Sequence, residues 1–193
     1  MTPDPDWFYH LPKVGIKEEL TCSTRLFGSE EDFYSLWNDI INPHWLQNLA
    51  VAGGVSNRQF SLTTCAIARL CLPLIPENEV RPRIAVETAE AWARGEATKE
   101  QVVRAEEAAF SSYVHTHNTQ LIIQYATLTA YNAAYYTHTN LRLHGAYSAY
   151  HALLAGIGSQ DICATLRKHL PFERPPRPKG LTVWQRLAEV GDE

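Results

Sequence analysis

Eight histidines stand in this chain of 193 residues, and their spacing decides what chemistry they could do. Two metal ligands on one helix converge when they are three or four positions apart, as in H-E-x-x-H or E-x-x-H. Here His115 and His117 are two apart, His138 and His144 six, and His144 and His151 seven. The last pair shares a helix face, yet two turns separate the rings by about 10 Å. That is too far for a common zinc with ligand bonds of roughly 2 Å. The spacing points to no metal site and no cofactor.

Proton transfer is the other use of histidine. Tyr147, Tyr150, His151 and Leu154 recur at the three- and four-residue steps of one helix face. Tyr125, Asn132, Tyr135, Tyr136, His138 and His144 stand on the preceding helix or its turn and could meet them. One reading is a polar pocket between helices 119–136 and 139–156, with His138, His144, His151 and Tyr147 serving an enzyme or a small-molecule binder. The other is a hydrogen-bonded core in which Tyr, His, Asn and Thr satisfy one another. The second is favoured, because buried polar groups usually have structural partners. Nucleophile elbows, Walker loops and dinucleotide fingerprints are missing, and Gly53-Gly54 lacks the strand and helix those motifs require. An enzyme is therefore the alternative rather than the leading expectation.

The elements that must position these residues read as helices joined by short turns. Ser29 and Asp32 form a capping pair opening a helix that carries Phe33, Leu36, Trp37, Ile40 and Ile41 on one face. A strongly apolar helix follows from Ser61 to Ile75, perturbed near Pro73. Pro82 suits the first position of a helix over Arg81–Arg94, where its missing N–H costs nothing, and Gly95 stops it. Ile84, Ala85, Thr88, Ala89 and Trp92 make its buried face. Thr98 and Gln101 cap a helix reaching about Thr116. Helices at about 119–136, 139–156 and 159–169 complete the series. Small residues in the first two let neighbours approach closely. No strand signal is strong enough to build a sheet. The expected fold is all-α, a single-domain bundle of about seven to nine helices over 1–173, with 1–28 as an N-terminal arm. Residues 174–193 read as an extended Pro-rich connector and a short amphipathic helix bearing Leu181, Trp184 and Leu187. That stripe permits a homodimer through the C-terminal helix.

Composition narrows the partners. Residues 1–96 carry 13 Asp and Glu against 8 Lys and Arg, a balance of −5 in a chain of net charge −4. No basic stripe exists for nucleic acid, and an acidic half could attract a basic partner. No segment approaches the roughly 20 apolar residues of a membrane span, and the first residues lack the basic start and apolar run of a secretory signal. The four cysteines, Cys22, Cys65, Cys71 and Cys163, show no C-x-x-C pairing. Free buried thiols and a cytoplasmic setting are expected.

One stretch concentrates unusual residues at fixed spacing: L-P-L-I-P-E-N-E-V-R-P-R-I-A-V-E-T-A-E-A-W-A-R-G-E, from Leu72 to Glu96. Arg81 and Arg83 bracket Pro82 at the mouth of a helix, with Glu77, Glu79 and Glu87 nearby. Local ion pairing is the plain role for such a cluster, and partner binding the other. The run resembles the signature of predicted immunity proteins of bacterial polymorphic toxin systems (immunity protein type five and its relatives). The resemblance falls on Cys65 to Pro73, Glu77, Arg81, Pro82, Arg83, Ile84, Glu87, Trp92 and Gly95, and more loosely on 102–156. It implies a cytoplasmic binding and inhibitory protein that neutralises a cognate protein toxin. Glu77, Glu79, Arg81, Arg83 and Glu87 are then the partner-binding candidates, with Trp92 a core anchor.

Overall fold

Capping chemistry sets where the helices begin. Ser56 accepts from the backbone N–H of Gln59 at 3.3 Å, and the Gln59 side chain accepts from the backbone of Ser56, also at 3.3 Å. This reciprocal pair opens α1, Asn57–Cys71. The helix therefore starts four residues before the apolar run suggests, and Pro73 falls in a 3-10 turn, Leu72–Leu74, rather than in the helix. A turn closed by Glu79 N–H on Pro76 O at 2.9 Å leads to α2, Arg81–Arg94. It ends on Gly95 at φ +84°, a left-handed conformation that a side chain would strain. Thr98 and Gln101 cap α3, Lys99–Thr116, with Thr98 N–H donating to Gln101 at 2.7 Å.

The remaining helices are α4, Leu121–Thr139, α5, Ala146–Leu154, and α6, Ser159–His169. Thr139, expected to open the next helix, is the last residue of α4. The computed structural model describes residues 41–43, 46–47, 55–116, 120–139 and 146–170. Among these residues the structure is all-helical, with six α-helices of defined bounds and no strand. The expected helix at 29–41, the N-terminal arm, the Pro-rich connector and the C-terminal helix lie outside the described residues apart from Ile41. No helix among the described residues is long and apolar enough to cross a membrane.

α4 is the organising element and packs against α1, α2, α3 and α5. Its sequence makes this possible. Ala126, Ala130, Ala133 and Ala134 are fully buried, and Thr127, Thr129 and Thr137 are nearly so. Small side chains let four neighbours come close to one backbone. The buried threonine hydroxyls donate back to carbonyls four residues earlier: Thr127 to Ile123 and Thr129 to Tyr125 at 2.8 Å, Thr137 to Ala133 at 2.7 Å. These three hydroxyls are therefore not stranded by that packing. Larger apolar residues, Phe60 and Ile67 on α1 and Ile162 and Leu166 on α6, fill the flanking core. Cys65, Cys71 and Cys163 are buried free thiols, and burial pushes the Cys71 thiol up to about 11.

α2 is rotated relative to the expected facing. Pro82, Ala85, Val86, Ala89 and Ala93 are buried, whereas Ile84 is 48% exposed and Thr88 and Trp92 are partly covered. Ala85, Ala89 and Ala93 run down one edge of the buried face, and Pro82 and Val86 down the other. Ile84 thus falls outside it. An ion pair fixes the helix against α1: Arg69 donates to both oxygens of Glu90, at 2.6 and 2.7 Å.

Candidate functional site

Two places hold the residues singled out by type and spacing. The first is the α4–α5 contact. α5 presents Tyr147, Tyr150 and His151 toward α4, and the structure brings His151 against Tyr125 and Asn132 of that helix. The imidazole stacks on Tyr125 with ring centroids 6.1 Å apart and planes 11° from parallel. On its other flank Tyr147 lies 6.2 Å away at 25°, and Tyr150 tilts against it at 5.5 Å. Asn132, buried in α4, donates its amide N–H to Nδ1 of His151 at 2.8 Å. With the amide nitrogen facing it, Nδ1 accepts, an arrangement that fits a neutral ring with its proton on Nε2. Burial holds the imidazolium off, and the pKa of His151 drops to about 4.

The rings continue as a chain. Tyr147 stacks on Tyr136 at 6.5 Å, Tyr136 meets Tyr135 edge-on at 5.1 Å, and Tyr135 lies 5.6 Å from Tyr131. Tyr131 then meets Phe110 of α3 at 5.3 Å. Burial raises the pKa of Tyr131 to about 12, and the nearby Glu106 carboxylate adds to the rise. The side chains of His138 and His144 lie outside the described residues. Chemically, this arrangement occupies His151 rather than freeing it. A general base offers an open lone pair, and here the Nδ1 lone pair is bound while Nε2 holds the proton. A general acid near neutral pH would need the imidazolium that burial disfavours. Among the described residues no three His, Cys, Asp or Glu side chains gather where one ion could be held.

The second place is the start of α2. Glu79 accepts from the Arg81 backbone N–H at 3.2 Å and from Arg81 Nε at 2.8 Å, and its other oxygen accepts from Arg81 Nη2. The carboxylate therefore caps the first turn and clamps the guanidinium, which is ordered chemistry of the local kind. The Arg81 guanidinium beside Glu79 holds its carboxyl below the usual carboxylate range. Ser112, buried in α3, also lies close enough to lower that pKa, although its hydroxyl has no partner within hydrogen-bonding geometry.

Glu77, Arg83 and Glu87 are exposed and make no ion pair among the described residues. Between them stand two apolar side chains the periodicity did not assign to the surface: Val80, 49% exposed, and Ile84, 48% exposed. Ile84 donates its backbone N–H to Val80 O at 3.0 Å, so the two side chains are one turn apart on the outer face. The signal that could have found them is Val86. If Pro82 and Val86 face inward, Ile84 cannot.

Comparison with known proteins finds no match among family models, curated proteins or solved structures. The likeness of the Leu72–Glu96 run to immunity proteins thus rests on its residues alone.

Proposed function

We propose that this chain is a binding and inhibitory protein that holds a protein partner on the outer face at the start of α2, as an immunity protein holds its cognate toxin. The observation that carries the proposal is the pair Val80 and Ile84, half exposed and flanked by Glu77, Arg83 and Glu87. Apolar side chains within a charged rim are the ordinary anatomy of a protein-binding patch. The acidic balance of residues 1–96 would speed encounter with a basic partner. Glu79 and Arg81 contribute by holding the first turn in place. Glu77, Arg83 and Glu87 are the charges left to meet the partner. The Tyr/His cluster supports this reading from the other side, since His151 is engaged by Asn132 and stacked among tyrosines where α4 packs on α5.

The test is co-expression with the product of the neighbouring reading frame in a bacterial host. The chain should relieve the growth defect that this product causes, and Ile84→Asp should abolish relief while leaving the circular dichroism spectrum and thermal transition intact. Full protection by Ile84→Asp would remove this face from the interface. Failure of the wild-type chain to protect would remove the inhibitory role.

A further inference from the structure

The outer side of α4 carries a feature that partner binding at α2 does not use. A surface helix usually shows charge to water. Here the run 108–141 contains no Asp, Glu, Lys or Arg, in a chain where 20% of residues are charged. That run covers the end of α3 and all of α4. On α3, Phe110 is 46% and Val114 52% exposed, and on α4 Leu121 is 64% exposed. Leu128, Tyr131 and Tyr135 of α4 are partly open. These residues form one surface. Val114 lies one turn beyond Phe110, Phe110 touches Tyr131, and Tyr131 touches Tyr135. Leu121, Leu128 and Tyr135 are spaced by sevens, which places them on a single stripe.

We infer that this stripe is a homodimer interface, with α4 of one copy lying antiparallel against α4 of another about a two-fold axis at Leu128. Three features select a second copy. The six side chains carry no charge, and Glu106 stands at their edge beside Tyr131, so two chains of net charge −4 can meet over an uncharged centre, where a strongly charged partner finds no complement. Charge depletion together with tyrosine and phenylalanine is the composition of an interface centre. The stripe is also self-complementary, because Leu121 and Tyr135 stand seven residues on either side of Leu128. A two-fold pairing sets leucine against tyrosine at both ends, as an isologous contact requires.

Area sets the strength. The six side chains offer on the order of 500 Å² per copy, about the size of the largest patch on a monomer. The pair would bury roughly 1,000 Å², the lower bound for a specific interface. The dimer is therefore weak and concentration-dependent.

Sedimentation equilibrium of the full chain, from micromolar to millimolar concentration, tests this. The apparent mass should climb from 21.8 kDa toward twice that value. Leu121→Glu, at an exposed position, should raise the dimer Kd by about tenfold or more. Leu153→Glu, on the exposed side of α5, should leave the Kd unchanged. Leu128→Cys should form a disulfide-linked dimer under mild oxidation beyond any seen in the wild-type chain. If Leu128→Cys folds poorly, Leu121→Cys paired with Tyr135→Cys in mixed samples supplies the same cross-link. A monomer at every concentration overturns the inference, whatever then covers the face. So does a dimer that Leu121→Glu leaves intact.

Discussion

Lowering the pH should unfold this protein earlier than its carboxylates alone would dictate, because His151 is held neutral inside the α4–α5 contact. Its folded pKa is about 4 against an ordinary 6.5. In that window the unfolded chain binds a proton that the folded chain refuses, so stability falls as the solution acidifies. The contribution is fully present above about pH 6.5 and is lost as the pH drops through 4. At about 1.4 kcal/mol per pH unit, the gap corresponds to roughly 3 kcal/mol, a large share of the 5–15 kcal/mol typical of a domain. The groups facing the ring among the described residues are Asn132 from α4 and the rings of Tyr125, Tyr147 and Tyr150. No carboxylate and no second imidazole is among them. The control is His151→Asn, whose side-chain oxygen can accept from Asn132 near the place of Nδ1 but cannot take up a proton. Urea unfolding of both proteins from pH 7.5 to pH 4 isolates the histidine, since all carboxylates are common to the pair. The variant should be less stable at pH 7.5, having lost ring stacking, and the gap should close by roughly 3 kcal/mol on acidification. Parallel stability curves would refute the reasoning, as would an NMR titration placing His151 near its ordinary value.

The close packing of α4 gives a second prediction. Ala133→Leu, at a fully buried position, should lower stability by about 1–3 kcal/mol through overpacking, read from the denaturation midpoint. Ser56→Ala removes the capping box of α1 and should cost about 1 kcal/mol in the same assay. Glu79→Gln loosens the first turn of α2, also by about 1 kcal/mol. Because the Glu79 carboxyl is held below its usual range, that difference should be present near neutrality and vanish as the pH falls through its depressed pKa.

Much of the helical order is legible in the residues because it is chemically punctuated. Pro82 and Gly95 bound α2, and Thr98 with Gln101 opens α3, so the sequence reading and the structure agree at those ends. α1 begins earlier than the apolar pattern suggests because its capping pair, Ser56 and Gln59, lies just outside the hydrophobic run. Periodicity misplaces the facing of α2 for a different reason. Its buried side is mostly alanine, which gives periodicity little contrast, so the pattern draws the large Ile84 inward while Val86 holds the buried place. The meeting of His151 with Tyr125 and Asn132 follows from spacing, since all of them fall on facing helix sides. What spacing does not contain is the direction of the hydrogen bond. The Asn132 amide nitrogen faces Nδ1, and that contact engages the lone pair a base would use.

Hydrogen–deuterium exchange on the chain, with and without the product of the neighbouring reading frame, tests partner binding at α2 most directly. Our account predicts slowed exchange over residues 77–88, spanning Val80 and Ile84, with α5 around His151 unchanged. Protection centred on α4 and α5, with none at the start of α2, would contradict it.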